Sequence, residues 1–130
     1  MNKFLSRVTC LLVSLTFIGC GSPQPTGPEM PAGTSEALAD THALILEASY
    51  GGAPLKSVKD LDQYAGSFPK AVAAIKAGEI KVIWGKPILD NAKTPQVIAY
   101  ESKVEKGEGF AVKEDGKIHK VTAADLPKSK

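Results

Sequence analysis

The chain has 130 residues, of which 43% are hydrophobic, 23% charged and 6% aromatic. That composition excludes a disordered chain, a collagen-like fibre and a coiled-coil rod, and the length holds one domain rather than separate cofactor and substrate lobes. The formal net charge of +2 comes from Lys3 and Arg7; without them, 14 lysines face 14 Asp and Glu. Arg7 is the only arginine in the chain. Arginine dominates base-edge readout and bidentate phosphate clamps, so neither nucleic-acid binding nor a phosphoryl-transfer site is expected.

The N-terminus has the order of an export signal. Lys3 and Arg7 form a short basic region, and Val8 to Ile18 is an apolar run ending at Gly19 and Cys20. As a helix this run would extend roughly 16 Å, about half the hydrocarbon thickness, so it is too short to span a bilayer. It has the length and flanks of a secretory signal. Phe17-Ile18-Gly19-Cys20 resembles the lipobox of bacterial lipoproteins, departing from it at Phe17, where the motif usually has leucine. The resemblance implies cleavage between Gly19 and Cys20. It also implies a diacylglycerol thioether on Cys20, which becomes the acylated N-terminus.

Residues 20–35 read as the lipidated cysteine and a tether, with Pro23, Pro25, Pro28 and Pro31 interspersed with small residues. Proline removes backbone donors and fixes φ, and nothing here can bury a core. Such a segment reaches about 20 Å as a coil and about 45 Å as polyproline II. Cys10 would leave with the signal and Cys20 would be acylated, which leaves the domain without a disulfide, a thiolate ligand or a cysteine nucleophile. Gly21 and Ser22 follow Cys20 with no acidic residue. By resemblance to lipoprotein sorting in double-membraned bacteria, this favours the outer membrane over the inner.

The folded domain is expected over residues 36–130. Leu38, Thr41, Ile45 and Ala48 recur at helical spacing within Glu36 to Ser49, with Ser35 as N-cap. Ser57 and Asp60 read as a capping-box variant opening a short helix through Tyr64, with Leu55, Val58 and Leu61 inward. Pro69 opens a third helix, which Gly78 stops. The remainder reads as β: Ile80 to Trp84 is one strand, and Gln96 to Glu101, apolar on both faces, is a central one. Lys103 to Gly109 reads as a charged loop, and Thr122 to Leu126 as a final helical turn before Pro127. The expected fold class is α+β, with two or three short helices followed by a small antiparallel sheet of about four strands.

Gly109 to Val121 is the clearest hairpin, built around Asp115-Gly116. A two-residue turn would pair Val112 with His119. A three-residue loop Glu114-Asp115-Gly116, with Gly116 left-handed, pairs Val112 with Ile118 and matches apolar to apolar, so the latter is preferred. Gly109 to Ile118 also resembles the C-terminal hairpin of pseudopilin-like proteins. The likeness implies a similar sheet hairpin and a distant relation to secretion machinery. It departs from that family in having a cysteine where the prepilin signal continues into a long helix, and Glu105 where some members carry histidine.

Chemistry-bearing patterns are sparse. His42 and His119 are the only imidazoles and have no His-x-x-x-His partner, so no metal site is expected. Asp60 and Asp62 diverge at i, i+2 on a helix, Glu114-Asp115 reads as turn chemistry, and there is no G-x-S-x-G elbow. Gly107-Glu108-Gly109 puts a carboxylate where a phosphate would sit. No catalytic residue, cofactor or metal is expected. Trp84, followed by Gly85 and Pro87, and Tyr100 are the candidate partner contacts. The expected function is that of a lipid-anchored, non-catalytic binding or structural domain in the bacterial envelope. Its partners would be the membrane, through Cys20, and a protein or envelope polymer. The alternative is an accessory component of a secretion or pilus-like assembly.

Overall fold

A computed structural model of the protein describes residues 31–88 and 92–127. The first helix, α1, spans Ala32–Tyr50 and buries Leu38, Thr41, Leu44, Ile45 and Ala48, the three- and four-residue steps of one helical face. The Thr41 hydroxyl donates to the Ala37 carbonyl at 2.7 Å, so the polar group inside this stripe is satisfied. Ser35 is not the cap. Ala32 to Ser35, assigned to the tether by their sequence, are helical, and Pro31 stands at the N-cap without a side-chain cap bond. Its carbonyl accepts from Thr34 N (3.0 Å) and Ser35 N (3.2 Å).

A 3₁₀ helix over Val58–Tyr64 follows, opened by the Ser57/Asp60 box. Asp60 Oδ2 accepts from the backbone N–H groups of Lys56 (2.8 Å) and Ser57 (2.9 Å). Leu55 and Leu61 are buried, but Val58 is 42% exposed, so the helix enters the core only from its second turn. The second α-helix, α2, is Pro69–Lys76, with the proline in its first turn. Gly78, at φ 74°, ends it as Gly78 N donates to Ile75 O and Glu79 N to Ala74 O, both at 3.0 Å.

Four strands then form an antiparallel meander in the order β1 (Ile80–Val82), β2 (Val97–Glu101), β3 (Glu108–Lys113) and β4 (Ile118–Thr122). The architecture is therefore α+β, helices first and a four-stranded antiparallel sheet after. β1 is shorter than Ile80 to Trp84 because Gly85, at φ 79°, turns the chain away and donates its N–H to Leu55 O at 2.9 Å. β2 is central as expected, with a bulge between Val97 and Ala99 that places both Ile98 and Ala99 on the helix side. The hairpin takes the apolar register, Val112 opposite Ile118, with Gly116 at φ 75°.

The sheet has two apolar faces. Leu38, Leu44, Leu61, Val72, Ile75, Ile98, Phe110 and Val112 belong to the core between the helices and the sheet. On the other face Val97, Val104, Ala111 and Val121 form a smaller cluster with half-buried Ile83, Tyr100 and Leu126. Two further 3₁₀ helices supply its cover, Ser102–Lys106 in place of the expected charged loop and Ala123–Asp125 at the expected final turn. Within the charged segment Val104 is completely buried.

The two capping aspartates make a pH prediction. Backbone N–H groups of Lys56 and Ser57 hold the Asp60 carboxyl below its ordinary 3.8. The N–H and hydroxyl of Thr122 do the same for Asp125. A carboxyl whose folded pKa lies below its unfolded one adds stability that is complete above the unfolded pKa and is lost as pH falls through the folded one. The urea midpoint is therefore expected to fall below about pH 4. The double variant Asp60→Asn, Asp125→Asn should show a shallower acid limb, and an unchanged limb would assign acid lability to other carboxylates.

Candidate functional site

Alternation along β1 separates the two aromatic candidates. Ile80 and Val82 face the helices, so Lys81 faces outward and Trp84 returns to the helix side. Trp84 is half-buried against the helix-side core, whereas Tyr100 is half-buried in the outer cluster. The fold does not bring them together.

Tyr100 belongs to a polar network on the outer face. Its hydroxyl donates to Glu105 Oε1 at 3.0 Å, and Lys81 Nζ lies 2.6 Å from Glu105 Oε2. Register places Lys81 opposite Tyr100, Tyr100 opposite Ala111 and Ala111 opposite His119, so these residues form one row across the sheet. Lys81 foremost, and then Tyr100, hold the Glu105 carboxyl below its usual range. Burial, reinforced by the bond to Glu105, pushes the Tyr100 phenol up. These directions make Tyr100 a weaker acid and Glu105 a weaker base near neutral pH, the reverse of what general acid–base chemistry requires.

Two buried carboxylates escaped the sequence reading. Glu101 Oε2 accepts from Phe110 N at 2.8 Å and lies 2.9 Å from Lys103 Nζ, whose ammonium stands 5.6 Å from the centre of the Phe110 ring. Glu114 is more than turn chemistry: its carboxylate accepts from Gln96 N at 2.9 Å while its own N–H donates to Gln96 O at 3.0 Å. This two-way clasp carries the β2–β3 pairing past the bulge. Glu101 closes an apolar run and Glu114 follows another after Lys113, and exposed glutamates stand at many strand ends. Among the described residues, no buried side-chain polar atom lacks a partner, so these carboxylates act on the backbone that they cap.

His42 rests on the hairpin turn, its Nε2 3.0 Å from Glu114 O. The ring stands 3.2 Å from the position a Cβ on residue 116 would take, so both φ and space favour glycine there. His119 is exposed on β4. Asp60 is committed to its capping bonds and Asp62 pairs with Lys76 at 2.6 Å, so the two diverge as their spacing predicts. Among the described residues no group of three or more His, Cys, Asp or Glu could hold a metal, and no helix is long and apolar enough to cross a membrane.

The most site-like surface lies at the C-terminal end of α1. The loop from Trp84 to Ile88 is fixed there at two points, Gly85 N on Leu55 O (2.9 Å) and Ile88 N on Ser49 Oγ (3.3 Å). Trp84 is thereby set between the end of α1 and the start of the 3₁₀ helix. A recess of about 230 Å³ lies between Ala53, Pro54, Leu55, Lys56, Asp60 and Gln63. A larger cleft of about 380 Å³ lies at the opposite end of α1, between Thr34, Ala37, Glu79, Ile80 and Glu101. Gly19 and Cys20, the expected processing and lipidation positions, lie outside the described residues. Comparison with known proteins returned no match: no family model fits the chain, and neither a curated protein nor a solved structure is significantly similar to it.

Proposed function

We propose that this protein is a bacterial envelope lipoprotein, anchored through lipid on Cys20 after cleavage at Gly19, whose α+β domain binds another envelope component without catalysing a reaction. The observation that carries the reading is the N-terminal order: Lys3 and Arg7, the apolar run Val8 to Ile18, then Gly19-Cys20. The arrangement downstream is compatible with it. A proline-rich stretch separates Cys20 from α1, which begins at Ala32 and opens a domain that carries its own core. Gly21 and Ser22 favour the outer membrane. Trp84 is the first candidate contact for a protein or envelope polymer, and Tyr100 the second.

The test is the intact mass of membrane-fraction protein from a bacterial host, wild type beside Cys20→Ala. Wild type is expected to lose residues 1–19 and gain acyl chains, and the variant to do neither. Cleavage at another position without lipid would make Cys20 an ordinary cysteine and the domain a freely secreted one.

The second reading, an accessory subunit of a secretion or pilus-like assembly, draws on the Gly109 to Ile118 hairpin, whose strand β4 is an edge of the sheet. Stoichiometric co-purification with secretion components would favour it. Against strand addition stand exposed lysines at positions 117 and 120, together with Asp125, which occupies the Thr122 N–H at 2.8 Å.

A further inference from the structure

No further inference is drawn: the cleft of about 380 Å³ between the first turn of α1 and the start of β1 carries none, because Glu101, the buried charged residue lining it, is already held by Phe110 N and Lys103, and nothing in the structure shows what covers its apolar wall of Ala37, Ala74 and Ile80.

Discussion

Replacing Leu44 by alanine is expected to cost the domain about 2–5 kcal/mol, a large part of the roughly 5–15 kcal/mol that holds a domain of this size folded. Leu44 sits midway along α1, completely buried in the core between the helices and the sheet. Truncation removes its transfer free energy and leaves a cavity that rigid neighbours fill only in part. The chain is expected to have no disulfide to offset the loss. Urea unfolding of the full chain should show a lower midpoint with an unchanged slope, and melting should fall by about 4–8 °C for each kcal/mol lost. Glu47→Ala, one turn further along on the exposed face of the same helix, should stay within about 0.5 kcal/mol of wild type. Equal losses in the two variants would mean that helix propensity, and not the packing of this face, holds α1 in place.

Gly109→Ala should be the most damaging single-methyl change in the sheet. A Cβ there would stand 2.8 Å from Val104 Cγ2 and 2.9 Å from Glu101 Oε2. Val104 is completely buried and Glu101 is held by Phe110 N at 2.8 Å, so neither neighbour can yield without losing a contact of its own. Overpacking of this kind costs about 1–3 kcal/mol, and the loss should grow in Gly109→Val. Gly107→Ala is the matched control. Nothing lies within 4 Å of its Cβ position, and it adjoins the same 3₁₀ helix. Denaturation midpoints should separate the two glycines clearly. A Gly109→Ala variant as stable as Gly107→Ala would show that the 3₁₀ helix Ser102–Lys106 gives way easily, and would remove the reason for glycine at position 109.

The elements legible in the sequence are those whose signals are local. Ser57 with Asp60 stand three residues apart and close their own hydrogen bonds, as do Thr122 and Asp125 at the final turn. Pro69 and Gly78 bracket α2 through backbone preferences that belong to proline and glycine in any context. The hairpin register followed from matching Val112 to Ile118 around a glycine able to turn left-handed. The class of fold could be inferred because helical and strand periodicities occupy separate halves of the chain. The residues from which an export signal and a lipobox are expected likewise lie within residues 1–20.

Tertiary structure decided what depends on which surfaces meet. The backward extension of α1 to Ala32 has no side-chain cap that the sequence could have announced. Val104 is a core residue only because the 3₁₀ winding of its charged segment folds it over the outer sheet face, against Val97, Ala111 and Val121. Glu101 and Glu114 are buried because two backbone N–H groups, Phe110 and Gln96, needed acceptors at a strand end and beside a bulge. Strand parity put Trp84 and Tyr100 on opposite faces, and two bonds to Leu55 and Ser49 fixed the loop that follows Trp84 near the end of α1. The sequence alone therefore determined the class of fold, the hairpin turn, the Ser57/Asp60 cap and the expectation of a lipid anchor. Which residues share a surface was settled by packing, because long-range contacts depend on the whole chain and not on the spacing of neighbours along it.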